Sequence, residues 1–328
     1  MKIIGIALVC CLVATQGLSQ LATEKTRWFK GNTHTHTSKS DGDSTPEEVT
    51  KWYRDNGYNF LFITDHETIT PVDDLNKAFG KDGEFNVFQG QEVTDRLNGK
   101  PYHINGLGVT KVTMPNGGKT VPENLQLNVD GVRAAGGMAQ INHPNFGWAL
   151  SGDQIAQVKR VMLLEIFNGH PLVNNFGGGD SPGAEAIWDS LLSRGLLFYG
   201  VADDDVHTVR DLGNRKAPRP GQGWIMVRSS KLALPEILEA LTRGDFYSST
   251  GVELEEFTPG LRTIAIKVKA ERWSKYRIQF IGQNGTVLSE SSEPSATYTV
   301  KGKEKYVRVK VIESNGKMAW TQPVMLKF

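Results

Sequence analysis

Two histidines, His34 and His36, stand two residues apart just after an apolar stretch that contains Trp28 and Phe29. On an extended strand such a pair faces one side, because side chains alternate with period two. One metal ion can therefore take both imidazoles. Asp41 and Gly42 follow in a stretch of Ser, Lys, Asp and Gly that reads as a turn. A carboxylate there can fold back toward the same ion or a neighbouring one. Alone, the pair reads equally well as two surface histidines on an edge strand.

The theme repeats down the chain. The apolar run from Tyr58 ends in Asp65 and His66, and the run from Phe85 ends in Glu92. A run near Tyr102 opens with His103, and the run from Met138 ends in His143. Residues from Val161 lead to Glu165, Asn168 and His170, and residues from Leu196 lead to Asp203, Asp204, Asp205 and His207. Core or surface histidines would scatter, yet the region beyond Glu255 has none. Imidazoles and carboxylates without sulfur suit Zn, Mn or Fe(II). Such a set exceeds what one ion can use, which points to two or three ions sharing a carboxylate. The spacing D-x-H favours Asp205 over Asp203 and Asp204 as a ligand. Glu165 and Asn168 end a strand and are candidate substrate contacts, and His170 reads equally as a solvated loop residue.

Positioning these groups requires strands that end at one rim. From Trp28 to Gly251 apolar runs alternate with helical stretches, the pattern of βαβ units, whose strand ends converge at one rim. Thr45, Pro46 and Glu48 form a capping box with proline at the first helical position, and Gly57 ends that helix. Further helices are predicted near residues 122–135, 182–194 and 235–243. Beyond Glu255 short alternating strands, with turns at Asn284-Gly285 and Asn315-Gly316, predict a small β-sandwich over residues 255–328.

Composition sets outer bounds. The chain has 328 residues, 39% hydrophobic and 22% charged, and a formal charge of +1. That balance argues against a nucleic-acid footprint. Residues 1–19 read as a signal peptide: Lys2, an apolar run from Ile3 to Val13, then small residues before Gln20. The run is too short to span a bilayer. A secreted or periplasmic protein is expected, with a lipid anchor on Cys10 disfavoured by the bulky Val9. Cys10 and Cys11 both lie in this leader, so the mature chain would lack thiolate ligands.

The ordered set of H-x-H, S-D-G, strand-ending Asp-His, isolated Glu, two separate histidines and final D-x-H resembles the PHP (polymerase and histidinol phosphatase) superfamily. Residues 28–37 and 200–208 are most similar to its secreted carbaryl-hydrolase-like branch. The resemblance covers roughly residues 27–254 and implies a distorted seven-stranded α/β barrel with a di- or trinuclear metal centre. It implies one ion on His34, His36, Glu92 and Asp205, with Glu92 bridging to a second on His103 and His143. Asp41, His66 and His207 would hold a third. Asp41 stands where some members have histidine, and Asp65 would orient a ligand. The implied activity is metal-dependent hydrolysis through a metal-activated water, with Glu92, Asp205 and His207 central to catalysis.

Gly179-Asp-Ser181-Pro182-Gly183 matches G-x-S-x-G, but no strand precedes Ser181 and Pro182 lacks the N–H an oxyanion hole needs. Ser181 as a helix cap with Pro182 at the first position explains the same residues. The loop after His207 carries Arg210, Arg215, Lys216 and Arg219, which predicts a small anionic ester substrate, most simply a phosphoester. A carboxylic ester or carbamate is the alternative. A catalytically silent barrel, with the sandwich binding a glycan or protein, is a further reading that the complete ligand set disfavours.

Overall fold

A computed structural model describes residues 25–326. The expected leader lies outside the described residues. In chain order the elements are β1 (Arg27–Asn32), α1 (Pro46–Asp55), β2 (Phe60–Ile63), α2 (Asp73–Phe79), β3 (Asn86–Leu97), β4 (Lys100–Leu107), α3 (Val121–Ala134), β5 (Met138–Ile141), α4 (Gly152–Ile155), β6 (Leu163–Asn168), α5 (Ala184–Ser193), β7 (Tyr199–Asp203), β8 (Trp224–Ser229), α6 (Leu234–Arg243) and β9 (Phe246–Ser249). There follow β10 (Leu254–Thr258), β11 (Thr263–Val268), β12 (Tyr276–Ile281), β13 (Val287–Ser291), β14 (Ser295–Thr299), β15 (Tyr306–Glu313), β16 (Met318–Thr321) and β17 (Val324–Met325). Among the described residues no helix is long and apolar enough to cross a membrane.

The strands that carry the candidate ligands lie in sequence order, β1 to β7, within one large sheet. Beyond β1 and β7 the two ends meet, Thr35 pairing with Val206 in parallel and His36 N–H donating to the Val206 carbonyl (2.9 Å). β1–β2, β2–β3, β5–β6 and β6–β7 are parallel, but β4 runs antiparallel to both neighbours. The uniform βαβ expectation therefore fails at β4. Its cause is a tight hairpin at Asn98-Gly99, both residues at positive φ, a two-residue turn that the dipeptide itself signals. Reversing β4 brings its first half, not its last, to the rim where parallel neighbours end, and His103, its fourth residue, pairs there with Thr94 of β3.

Close packing of β1 on β2 explains one glycine. A Cβ on Gly31 would fall 2.1 Å from the Phe60 ring, so the strand that leads to His34 admits no side chain there. The α1 cap forms as expected, with Thr45 N–H donating to Glu48 Oε2 (2.7 Å) and Glu48 N–H to Thr45 Oγ1 (3.2 Å). The α5 cap does not: Gly183 precedes the helix, and Ser181 pairs with Gly178 in the loop before it.

In the C-terminal part the predicted strands and both Asn-Gly turns are present. The sheet nevertheless runs through the boundary expected at residues 254/255. β16 pairs with β9, so β12, β13, β15 and β16 extend the sheet that holds β1 to β7. A second sheet, β10-β11-β14, covers this extension, with Phe257, Ile264 and Ile266 packing against Ile278, Phe280 and Val309. Tyr306 and Trp320 join the core cluster of α3 and α5.

Candidate metal centre

His34 and His36 lie just past β1, in the extended segment held by the Thr35–Val206 pairing, and both are fully buried. Four ligand atoms converge here. His34 Nε2 lies 3.1 Å from His36 Nε2, 3.1 Å from Glu92 Oε2 and 3.2 Å from Asp205 Oδ1. His36 Nε2 lies 3.0 Å from Glu92 Oε2 and 3.2 Å from Asp205 Oδ1. His34 Nδ1–H donates to Glu165 Oε1 (2.6 Å), which leaves the Nε2 lone pair aimed inward, the usual arrangement behind a metal-bound imidazole. Two atoms each ~2.0–2.2 Å from one ion stand about 3 Å or more apart, as these five pairs do. The donor set and its geometry fit a divalent ion.

The other oxygen of Glu92 serves a second group. Glu92 Oε1 lies 3.0 Å from His103 Nδ1 and 3.5 Å from His143 Nε2, and those two nitrogens are 3.2 Å apart. Asn142 Nδ2–H donates to the same oxygen (2.7 Å) and fixes the carboxylate plane. A third group sits outward, where Asp41 Oδ2 is 3.4 Å from His66 Nε2 and Asp41 Oδ1 is 3.4 Å from His207 Nε2. His207 Nδ1–H donates to the Asp205 carbonyl (2.9 Å), turning Nε2 toward Asp41. The Asp41 side chain is 55% exposed, so this group opens to solvent while the other two do not.

Electrostatics make the cluster incomplete by itself. Burial would lower the His34 pKa, yet Asp205, Glu92 and Glu165 hold it well above the ordinary value. Burial would raise Glu92 and Asp205, yet His34 and the surrounding imidazoles hold both well below theirs. Burial and the adjacent Glu165 push the Asp203 carboxyl well above the usual carboxylate range. Buried carboxylates without a permanent cation cost several kcal/mol each. A divalent ion held by these residues would offset that cost. Asp205 adopts a positive φ of 49°, strained backbone of the kind that persists at functional sites.

All nine sequence-predicted ligands fall in these groups, with Glu165 added to His34 and His143. The expected substrate contacts lie in different settings. Glu165 and Asn168 are buried behind the ligands: Glu165 Oε2 accepts from His143 N–H (2.6 Å), and Asn168 Nδ2 donates to Glu165 and to Asp205 (2.9 and 3.2 Å). They hold ligands in place. Arg210 is engaged by Glu48 through Nε (3.3 Å) and Nη2 (2.6 Å), and Arg215 is exposed on the same loop. Asp65 accepts from Thr37 N–H (2.7 Å) and Ser40 Oγ–H (2.8 Å), fixing the loop after His36. Asp204 accepts from the Tyr53 hydroxyl (2.7 Å) and three backbone N–H groups, while Asp205 faces His34 and His36. Gln140 and Asn142 were missed. Both precede His143, and their alternation toward the rim was the available signal.

No protein-family model matches the chain. Over 82 residues, 25% of its length, it is 32% identical to a 5'-3' exoribonuclease from Haemophilus influenzae and covers 30% of that protein. Among solved structures it is similar to a two-domain protein from Bacteroides vulgatus that contains a predicted PHP-like metal-dependent phosphoesterase. That match has a TM-score of 0.52 and 15% identity over 91% of this chain and 96% of the other, which shows a shared fold. An amidohydrolase from Chromobacterium violaceum aligns at TM-score 0.40 and 17% identity, over 55% of this chain and 88% of that one. At that score the likeness carries no argument.

Proposed function

We propose that the chain is an exported metal-dependent hydrolase on a PHP-type barrel that cleaves phosphoesters with two or three Zn, Mn or Fe ions. The observation that carries this reading is Glu92. Its two oxygens face two different imidazole sets, His34 with His36 and His103 with His143. A carboxylate placed in this way would hold two cations close together. Divalent ions there would lower the pKa of water from about 15.7 toward about 7 and neutralise charge on an ester's oxygens. The chain's own part is to hold the ligand atoms: Glu165 orients His34, Asn142 orients Glu92, and Asn168 orients Asp205. The solvent-open edge at Asp41, His66 and His207 admits the substrate. The β1-to-β7 order and the Thr35–Val206 pairing support the barrel, and residues 1–19 support export. The Bacteroides protein is described as containing a predicted PHP-like metal-dependent phosphoesterase and the Haemophilus protein as a 5'-3' exoribonuclease, which favours a phosphate ester.

One observation favours a neutral substrate instead. Arg210 is spent on Glu48, which removes one of the cations expected to greet a phosphate. Carboxylic ester or carbamate cleavage is therefore the second reading. The test compares aryl phosphates and phosphodiesters with matched aryl acetates and N-methylcarbamates, for wild type and Arg215→Ala. Faster cleavage of the phosphates, slowed by Arg215→Ala, is expected. Faster cleavage of the neutral esters, with the variant unimpaired, overturns the phosphoester assignment.

A further inference from the structure

His170 belongs to none of the ligand groups, yet it stands at the mouth of the centre. Its ring lies 5.4 Å from that of His207 and 6.1 Å from that of Phe146. Phe146 in turn packs against His103 and His143, at 6.0 and 5.3 Å between ring centroids. The pair His170 and Phe146 therefore runs from the second ligand group to the third. Both are partly exposed.

The position is built, not incidental. His170 N–H donates to Asn168 Oδ1 (2.8 Å), and the same Asn168 holds Glu165 and Asp205. Phe146 pairs with Val173, and Asn145 Nδ2 donates to the Asn174 carbonyl (2.9 Å), so the two loops are tied together. A Cβ on Gly169 would lie 2.7 Å from Gln222 Cβ and 2.8 Å from the Asp204 carbonyl oxygen, so only glycine turns the chain into this loop. Leu172 N–H donates to His170 Nδ1 (3.2 Å), which places the ring proton of the neutral imidazole on Nε2. Nε2 has no partner among the described residues.

Around it the carboxylates of Asp41 and Asp205, which flank His207, can only accept. An ester or its product presents acceptors too, and needs a donor. We propose that His170 is a substrate-binding residue and not a metal ligand, its Nε2–H donating to an oxygen of the bound ester or of released phosphate. The proposal rests on the phosphoester reading above. Phe146, through its packing on His170 and on two ligands, is a positioning residue for that donor.

The test uses the full-length, metal-loaded protein with orthophosphate as the probe, in wild type, His170→Ala and His170→Gln. Metal per chain, phosphate affinity by calorimetry and the 15N resonance of His170 Nε2 are measured. Unchanged metal content is expected, with phosphate affinity about ten- to a hundredfold weaker in His170→Ala. Partial recovery is expected in His170→Gln, whose amide keeps a donor, and the wild-type Nε2 resonance should move on adding phosphate. Loss of a metal equivalent in the variants, an unmoved resonance, or equal affinity in all three proteins overturns the proposal. A wild type that cleaves no ester would sink the hydrolase reading separately, because metal content and phosphate response still decide the role of His170.

Discussion

At the seam between α5 and β15, Asp189 accepts from Arg308 Nε (2.8 Å), Arg308 Nη2 (2.6 Å) and the Tyr306 hydroxyl (2.8 Å), while Glu185 accepts from Arg308 and Lys310. At the rim, the described ion-pair partners of Glu92, Glu165 and Asp205 are all histidines. Both places bury carboxylates. The seam answers them with side chains that stay charged at every physiological pH, so it is complete as folded. The rim answers them with imidazoles that lose their charge near neutrality. A cation from outside the chain would complete it, at the points where the ligand atoms converge.

The largest difference between the two places should appear in activity. Glu92→Gln keeps the side chain's size but removes the shared charge, and it should lower ester turnover by orders of magnitude with circular dichroism unchanged. Ser181→Ala should be nearly neutral, because Ser181 pairs within its own loop. The reverse outcome, an active Glu92→Gln and a dead Ser181→Ala, would break the comparison at its root.

Stability should respond in the opposite place. Asp189→Asn leaves the fully buried Arg308 without its main partner, and breaking a buried pair costs about 3–5 kcal/mol. Denaturant unfolding should show that loss while metal content stays at the wild-type level. A variant that kept its stability but lost metal would mean the two clusters are not separate.

A smaller effect is expected from pH in metal-free protein. His34, His36, His66, His143 and His207 are raised above the ordinary value because, against burial, nearby carboxylates outweigh it. Their stabilisation is fully present below the unfolded imidazole pKa of about 6.5 and is lost as pH rises through the folded values. Glu92 and Asp205 are held low, so their contribution is present above the unfolded carboxylate pKa of about 4 and fades in acid. His103 and His170, lowered by burial, act in the opposite sense but are fewer. In chelator the melting temperature should therefore be highest near pH 5–6 and fall toward pH 8–9. The gain on adding metal should grow with pH, since ligands must shed protons to bind. A metal-free protein that became more stable from pH 6.5 to 8.5 would contradict the charge assignment.

Much of the rim was legible because its residues sit at strand ends, where local pattern and chemistry coincide. His34, His36, His66 and His143 each follow an apolar run, and Asp205 and His207 share the last one. The role of Glu165 was not legible. A carboxylate on a buried strand looks the same whether it meets substrate or backs His34, 131 residues away in sequence. The antiparallel β4 follows from the Asn98-Gly99 turn, a two-residue cue that the alternation of apolar runs and helices does not carry. The seam was invisible for a different reason. Arg308 alternates with apolar neighbours as any edge-strand residue would, and its partner Asp189 lies 119 residues earlier on α5. Pairing across such a separation leaves no spacing to read, and neither does the β16–β9 contact that joins the C-terminal strands to the site's sheet.

Elemental analysis tests the central claim most directly. Protein purified without chelator, then reloaded with Zn or Mn and freed of excess ion, should hold two or more transition-metal equivalents per chain, with Glu92→Gln holding fewer. One equivalent or none in the wild type would contradict a centre in which Glu92 joins two ions.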